Sequence, residues 1–338
     1  MKKIFCATMI VITFLYVMPI ITVGIKDRSK IYTVVTKQDE KSYKNNLNEN
    51  VESGYDKNTE ITVVVDGTPR KMTVYDYLVG VVSAEMPASF PIEALKAQAV
   101  AARSYMLYKI NSNHRDSVHE GAQLCDDSNH CTAFCEIDTE GKELWKNDYD
   151  YYLEKIRSAV SSTDGIVAMS DGKIIAAVFH SASDGATESA ENVWGNKYSY
   201  LTAVPTSGGD ASPNFYGVLE IGKKEFSDKM QSYRGDINLS ENMTDWFKNI
   251  IRSESGNVMS ITVGGVKLKG TEFRSILGLN STNFTINIDD DKILINTIGT
   301  GHGVGMSQYG ARDMALKGAY FDEIICYYYT GVKLMVKN

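Results

Sequence analysis

The chain lacks an excess of positive charge. Lysine and arginine total 35 against 42 aspartate and glutamate residues, a formal charge of −7. Because phosphate backbones are bound by basic surfaces, this balance predicts no nucleic-acid partner. Cysteine is also scarce, with five in 338 residues, which excludes a disulfide scaffold as the basis of the fold. Internal repeats and a Walker loop are absent, so the sequence predicts neither a solenoid nor a P-loop nucleotide site.

A long uncharged run stands at the N-terminus. Residues 4–23 (IFCATMIVITFLYVMPIITV) carry no charged side chain, and as a helix they span about 30 Å, the thickness of a bilayer core. A cleaved signal peptide is the alternative, but its apolar stretch is normally shorter and ends in small residues. We predict a transmembrane anchor over 1–25 and a polar linker over 26–60. Since long C-terminal domains cross membranes largely regardless of flanking charge, we expect a single-pass protein of the cell membrane with its body outside the cytoplasm.

The remaining residues, 61–338, are predicted to form one body. A strand, an Asp-Gly turn and a strand begin it, a short helix ends at Glu85, and an alanine-rich helix follows from Pro91. Short strands and helices then alternate without a doubly wound βαβ series. The predicted fold class is therefore α+β, a mixture of short strands and helices that does not resemble lysozyme.

Four stretches of this body have the composition of a functional site. In VVSAEMP, Glu85 lies between an apolar helix and a proline, where desolvation would raise its pKa and suit it to proton donation; an exposed glutamate at a helix end is the simpler reading. The helix 91–112 carries Lys96, Gln98 and Arg103 on its flanks, where a solvated surface is the simpler reading. The loop 180–195 can present hydroxyls, such as those of Ser183 and Thr187, to a ligand, although many such loops only connect elements. Residues 299–310 are glycine-rich, which lets the backbone approach a ligand or another chain segment closely.

Taken together, these motifs resemble the SpoIID/LytB family. The resemblance is carried by VVSAEMP, ALKAQAVAARSY, the SASDGATES–ENVWG loop and GHGVGMSQYGA, in that order along nearly the whole body. It implies a peptidoglycan lytic transglycosylase that acts in forespore engulfment during sporulation. It implies as partners a SpoIIP-like amidase and a SpoIIM-like membrane protein. The site residues it implies are Glu85 as the catalytic acid and Lys96, Gln98, Arg103, Tyr198, His302, Ser307 and Gln308 as supporting residues.

A lytic transglycosylase needs only one carboxyl group. Ordinary glycosidases use two, whereas here the acid protonates the oxygen between N-acetylmuramic acid and N-acetylglucosamine and then takes the proton from the muramic C6 hydroxyl, which closes onto C1. The product is a 1,6-anhydro sugar, and the chemistry requires no cofactor. The motifs supply Glu85, while Asp184 and Glu188 are weaker candidates for a second carboxylate. Two other functions remain open: a non-catalytic glycan binder that enhances an amidase, and a structural engulfment protein that acts through its partners.

A cluster of cysteine and histidine residues indicates a zinc site. Cys125 and Cys131 have the C-x5-C spacing of the family, and thiolate and imidazole suit Zn²⁺. His119 is the predicted third ligand, and Cys135 or water the fourth. His130 is set aside because it adjoins Cys131, and neighbouring side chains diverge in extended chain. The zinc would be structural, and a disulfide is the alternative.

Beyond the resemblance, Arg103 and Lys96 share a helix flank. We expect them to bind the lactyl carboxylate of peptide-free muramic acid, because Arg holds a carboxylate with two parallel hydrogen bonds and Lys adds a point charge. This hypothesis predicts a preference for glycan strands from which an amidase has removed the stem peptides.

Overall fold

The computed structural model describes residues 54–112, 119 and 121–337. The predicted mixture of short strands and helices is confirmed. The α-helices of the described residues are α1 (Tyr55–Asn58), α2 (Val74–Glu85), α3 (Ile92–Asn111), α4 (Lys142–Trp145), α5 (Tyr149–Ser161), α6 (Ala190–Trp194), α7 (Lys223–Tyr233), α8 (Gly270–Leu277), α9 (Gln308–Leu316) and α10 (Phe321–Tyr328). The strands are β1 (Glu60–Val65), β2 (Thr68–Thr73), β3 (Leu124–Cys125), β4 (Ile166–Ser170), β5 (Lys173–Ile174), β6 (Phe179–His180), β7 (Tyr216–Gly222), β8 (Phe247–Arg252), β9 (Val258–Val263), β10 (Val266–Lys269), β11 (Phe284–Asp289), β12 (Lys292–Ile298), β13 (Met306–Ser307) and β14 (Lys333–Val336).

The predicted anchor over 1–25 lies outside the described residues. Within 54–112, 119 and 121–337, no helix has the length and apolar character needed to cross a bilayer. The end of the segment predicted as linker is structured, since α1 and the first residue of β1 fall within it. Asp56 of α1 is buried.

The predicted β-hairpin leads directly into the helix that carries Glu85. Asp66 and Gly67 both have positive φ (50° and 73°), so they form the turn between β1 and β2. The Thr73 side chain caps α2 by accepting a hydrogen bond from the Asp76 backbone N–H. Pro87 disfavours helical backbone at the residue before it, and Met86 is extended. Helix α2 therefore ends at Glu85.

Helix α3 is the central element of the body. It packs against α2, α5, α9, α10 and β4, and its alanine content allows these neighbours to approach closely. One face of α3 is apolar and buried, and it contains Leu95, Ala99, Ala102 and Met106. Gln98 and Arg103, on its flanks, are equally inaccessible to solvent. The interpretation of these flanks as a solvated surface is therefore wrong for these two residues, because α3 is enclosed on several sides.

Residues 216–298, called the second lobe below, surround a hydrophobic core of their own. Two antiparallel sheets, in the orders β10-β9-β8 and β11-β12-β7, pack with α7 and α8 around this core. The core contains five aromatic residues in mutual contact, namely Phe226, Trp246, Phe247, Phe273 and Phe284. The sequence predicts a single body over 61–338 and does not reveal this lobe.

Short parallel strands bring the sequence motifs together. β3 pairs with β1, which places Cys125 beside Val64. β6 pairs with β13, so that His180 is opposite Ser307 and the loop 180–195 lies along the glycine-rich segment. The apolar segment 173–179 is not one continuous strand. Ala177 and Val178 donate backbone hydrogen bonds to residues two positions earlier, which turns the chain between β5 and β6.

Candidate active site

Glu85 lies at the meeting point of three parts of the chain. Its Oε1 accepts a hydrogen bond from the backbone N–H of Ala133 at 2.9 Å, and its carboxyl group also accepts one from the Gln308 side chain. Burial raises the pKa of Glu85 above its usual range, and the two hydrogen bonds partly oppose this shift. The carboxyl group is thus partly buried and held in place, as a general acid requires, rather than exposed at a helix end.

A pair of buried amides adjoins Glu85. Gln308, the first residue of α9, directs its Nε2 toward Oε1 of Gln98 on α3 at 3.4 Å. Gln98 is 0% exposed, yet its Nε2 has no hydrogen-bond partner within the described residues. A buried donor without an acceptor is costly. Gln98 therefore holds an unsatisfied buried N–H group in the same cluster as Glu85, to which it is linked through Gln308.

Arg103 does not face this site, which corrects the sequence-based hypothesis. Its guanidinium is fully buried and bonds to the Asp56 carboxylate through Nη2 at 2.5 Å and Nε at 2.9 Å. Nη1 donates to the carbonyl of Ile166. The hypothesis failed because Asp56 belongs to a segment that was predicted to be linker. Arg103 holds the start of the body to its core.

Lys96 is also engaged within the protein. Its ammonium pairs with Glu93 at 2.7 Å, and both side chains are mostly buried. The second Glu93 oxygen accepts the backbone N–H of Phe321 at the start of α10. Lys96 thus connects α3 to α10, and its charge is already compensated.

The glycine-rich segment packs against the protein's own chain. A Cβ on Gly305 would lie 2.1 Å from the carbonyl oxygen of Val178, and one on Gly301 would lie 2.8 Å from Cβ of His180. Both residues also have positive φ. These two glycines therefore allow the glycine-rich segment to pack closely against the strand and loop that follow Val178.

His180 and Ser183 form a buried pair next to this segment. Nδ1 of His180 donates to the Val304 carbonyl at 3.1 Å, so Nε2 is unprotonated and accepts the Ser183 hydroxyl at 2.6 Å. Burial lowers the pKa of His180 to about 3, and the neighbouring His302 adds to this. The His302 ring lies between His180 and Trp194, with centroids at 5.7 Å and 5.2 Å. The predicted residues Ser183 and His302 thus share one cluster.

Four side chains converge where the sequence predicts a metal site. The donor atoms of His119, Cys125, His130 and Cys131 all lie within 4.8 Å of one another. Sγ of Cys131 is 3.2 Å from His119 Nε2, and Sγ of Cys125 is 3.4 Å from His130 Nδ1. Zn–S and Zn–N bonds of about 2.3 and 2.0 Å in a tetrahedron separate neighbouring ligands by about 3.5 Å. The donor set and its spacing fit Zn²⁺.

His130, not Cys135, is the fourth member of this cluster. The backbone N–H groups of His130 and Cys131 both donate to the Asp127 carbonyl, which forms a turn. The rule that neighbouring side chains diverge applies to extended chain and fails in this turn. Cys135 instead donates its backbone N–H to Gly80 of α2. The four cysteines that the structure describes are free thiols, so the disulfide alternative is not what the structure shows.

The metal-site loop also holds the helix that carries Glu85. Thr132 hydrogen-bonds Tyr77, the Phe134 ring lies against Gly80, and Ala133 donates to Glu85. A Cβ on Gly80 would be 2.3 Å from Phe134, so glycine is required at this contact. A single residue, Thr132, therefore separates Cys131 from the backbone N–H that binds Glu85.

Comparison with known proteins identifies the family. A family model described as stage II sporulation protein matches residues 58–169, which contain Glu85, α3 and the four-donor cluster. The chain is 36% identical over 259 residues to Stage II sporulation protein D of Bacillus subtilis (strain 168), covering 77% of this chain and 73% of that protein. The chain belongs to the SpoIID family. Stage II sporulation protein D of Bacillus amyloliquefaciens is 35% identical with the same coverage, 77% and 73%.

A more distant relative bears a different name. The Amidase enhancer of Bacillus subtilis (strain 168) is 26% identical over 308 residues, covering 76% of this chain and 40% of that protein. The resemblance to the SpoIID family inferred from the motifs is thus confirmed.

Two predicted binding residues of this SpoIID chain serve its internal structure. Ser307 is 0% exposed, and its Oγ caps α9 by accepting the Gly310 backbone N–H. Thr187 is also 0% exposed, and its Oγ1 accepts the backbone N–H of Val204. Both were predicted because their motifs are polar, but short hydroxyl side chains often satisfy nearby backbone groups. Neither contacts a ligand from this position.

Tyr198 is placed differently from the Glu85 cluster. It is partly exposed, its ring lies 5.6 Å from that of Tyr200, and it hydrogen-bonds Tyr108 of α3. Tyr198 therefore remains available to a ligand at the side of α3.

Glu188 has a role that the sequence did not reveal. It is 1% exposed, and its Oε2 accepts hydroxyl hydrogen bonds from Ser253 and Ser255 of the second lobe, both at 2.5 Å. Oε1 accepts from Ser189 and Asn192 of its own loop. Burial alone would raise the pKa of Glu188, but these hydrogen bonds lower it below its usual range. Glu188 joins the second lobe to the loop 180–195 and is not a second catalytic carboxyl group.

Proposed function

We propose that this SpoIID protein is a peptidoglycan lytic transglycosylase that cleaves the bond between N-acetylmuramic acid and N-acetylglucosamine in peptide-free glycan strands. The observation that supports this proposal most directly is the environment of Glu85. Burial raises its pKa, and Ala133 and Gln308 lower it by hydrogen bonding. No carboxyl group of the described residues is among the groups that shift this pKa. One desolvated carboxyl group suits a reaction in which the same group first donates and then accepts a proton.

The chemistry follows from this geometry. Protonated Glu85 donates to the glycosidic oxygen as the bond to C1 breaks. The carboxylate then removes the proton from the muramic C6 hydroxyl, whose oxygen bonds to C1 and closes the 1,6-anhydro ring. The hydrogen bonds from Ala133 and Gln308 stabilise the carboxylate that forms.

The test compares purified wild-type protein with Glu85→Gln on glycan strands freed of peptide. Mass spectrometry of the products should show 1,6-anhydro ends with the wild type, and Glu85→Gln should reduce their formation at least about 100-fold. Glu154→Gln is the matched control, because Glu154 is an exposed glutamate on α5. Full activity of Glu85→Gln would exclude Glu85 as the acid.

A second candidate is a non-catalytic glycan binder that stimulates an amidase, favoured by the match to the Amidase enhancer. This function predicts that the wild type forms no anhydro ends and that Glu85→Gln stimulates an amidase as well as the wild type does. A purely structural role in engulfment, through SpoIIP-like and SpoIIM-like partners, predicts that Glu85→Gln rescues a deletion strain.

We further propose that one structural zinc ion binds His119, Cys125, His130 and Cys131, and that the protein is anchored in the cell membrane with its body outside the cytoplasm. The convergence of the four donor atoms supports the zinc ion. The uncharged run 4–23 supports the anchor. Membrane fractionation of the producing cell, with protease added to intact protoplasts, tests the location: a soluble or protease-protected body would contradict it.

A further inference from the structure

Two cationic side chains contact the turn between Glu85 and α3, and one of them has acceptors there. Lys155 of α5 donates to the backbone carbonyls of Ala88 and Phe90 at 2.9 and 2.6 Å. The guanidinium of Arg312 lies over the Phe90 ring at 5.6 Å and makes no hydrogen bond within the described residues. Arg312 is therefore the cation at this turn whose N–H donors are unused.

Arg312 lies on the same helix as Gln308, the residue that contacts the candidate acid. It is four residues after Gln308 on α9, so the two side chains emerge from one flank of the helix about 6 Å apart. Gln308 bonds to Glu85. Phe90, on which Arg312 rests, belongs to the turn that follows Glu85. The guanidinium is thus about one helical turn from the residue that contacts the acid.

The Phe90 ring is a rigid support for this guanidinium. It is 4% exposed, Tyr309 packs edge-on against it at 5.0 Å, and Lys155 holds its carbonyl. A guanidinium stacked on an aromatic face keeps its N–H donors directed outward from its edge. Such a group is pre-organised to hold a carboxylate with two parallel hydrogen bonds.

The carboxylate next to Arg312 in the sequence does not accept a hydrogen bond from it. Asp313 accepts hydrogen bonds from Ser207 and Lys317, both at 2.5 Å, and the charge of Arg312 only contributes to lowering the pKa of Asp313. The chain carries a net charge of −7, so a partly buried arginine without a hydrogen-bonded acid is not explained by a shortage of acids. An anion supplied by the ligand would complete its coordination.

We propose that Arg312 binds the lactyl carboxylate of N-acetylmuramic acid and thereby selects peptide-free glycan. The proposal rests on the transglycosylase function above and moves the carboxylate-binding role from Arg103, which is buried, to a residue with free donors. A stem peptide converts the lactyl carboxylate into a neutral amide and adds bulk at the same place. Arg312 would then lose its acceptor, and the peptide-bearing strand would bind less well.

The experiment combines a protein variant with a chemical change in the substrate. Full-length wild type and Arg312→Met are compared on peptide-free strands and on the same strands with the lactyl carboxyl converted to a methylamide. Methionine keeps an apolar stem on Phe90 but removes the charge. We expect Arg312→Met to lose about 10- to 100-fold in kcat/KM on the free carboxylate and less than about 3-fold on the methylamide. Arg312→Lys should recover part of the loss on the free carboxylate.

Controls make the result specific. Arg274→Met changes another partly buried arginine, whose Nε donates to the Leu279 carbonyl in the second lobe, and should leave the preference unchanged. Equal losses by Arg312→Met on both substrates, or a changed preference in Arg274→Met, would overturn the proposal. If the wild type forms no anhydro ends, the transglycosylase function fails. In that case, binding of the two kinds of strand is measured instead. Arg312→Met should abolish a wild-type preference for carboxylate strands, and any other result would overturn the proposal.

Discussion

At the scale of single residues, the pKa of Glu85 links stability to pH. Because burial raises this pKa, folding favours the protonated form. The stability that this provides is present below the usual pKa of glutamate and is lost as pH rises through the raised value. Glu85→Gln should therefore gain stability relative to the wild type between pH 4 and pH 8, by about 1 kcal/mol or less. Thermal unfolding at pH 4 and at pH 8 measures this difference in stability. Glu154→Gln should show no such trend. An unchanged difference across this range would mean that the raised pKa is absent.

Arg103 carries a prediction about stability, not about substrate. Removing one partner of a buried ion pair leaves the other charge uncompensated and typically costs about 3–5 kcal/mol. Arg103→Met should therefore lower the free energy of unfolding by about that amount, as measured with urea. Adding Asp56→Leu should restore much of the loss, because the remaining charge is removed. A double variant no more stable than Arg103→Met would contradict the pairing of Arg103 with Asp56 as the main cause.

At the scale of elements, the loop that holds the proposed zinc ion is also the loop that holds Glu85. Metal binding contributes folding free energy, so Cys131→Ser should reduce zinc from about one per chain to nearly none and lower the unfolding temperature. Hydrogen exchange of the segment 121–135, including the Ala133 amide, should then quicken. Cys135→Ser is the matched control, since Cys135 is a buried thiol outside the cluster. Retention of zinc by Cys131→Ser, or its loss from Cys135→Ser, would contradict the ligand assignment.

Elements with strong local signals were predictable from the sequence, and contacts between distant segments were not. The Asp-Gly turn, the end of α2 before Pro87 and the alanine-rich α3 all follow from local rules. The Asp56–Arg103 pair joins residues 47 positions apart, and its acid lay in a segment that appeared too polar to fold. Composition does not reveal such a partner. His130 was missed because a turn, which was not anticipated, reverses the usual divergence of neighbouring side chains.

The residues of the candidate site also divide into those whose role the sequence predicts and those whose role it does not. Glu85, Gln98 and Gln308 were predicted from motifs and do converge. Ser307 and Thr187 belong to equally specific motifs but satisfy backbone groups. A motif therefore identifies the segment that builds a site, while the role of each polar residue within it depends on whether its partner is internal. Arg312 shows the converse, because one arginine after a motif gives no signal until its missing acceptor is seen.

At the scale of the whole molecule, Glu188 governs how the second lobe is attached. Its lowered pKa means that it contributes stability above the usual pKa of glutamate, and this is lost as pH falls through the lower folded value. Glu188→Gln should cost about 2–3 kcal/mol near neutral pH, and the difference from the wild type should narrow on acidification. Amides of the turn 253–257 should exchange faster. Glu191→Gln changes an exposed neighbour and should alter neither the free energy of unfolding nor the exchange of these amides. Slow exchange of 253–257 in Glu188→Gln would show that other contacts attach the lobe.

The way the body begins has a mechanical consequence. The Asp164 carboxylate accepts the backbone N–H groups of Gly54 and Asp56, and the last described residue, Lys337, bonds to Gly165 and lies over the Tyr55 ring. Tension applied through the residues that precede Gly54 would therefore enter the body at Asp164 and the buried Arg103, and pass into α3 and the β4–β14 ladder. Helix α1 also packs against α2, which ends at Glu85, so the same tension would reach the helix that carries the candidate acid.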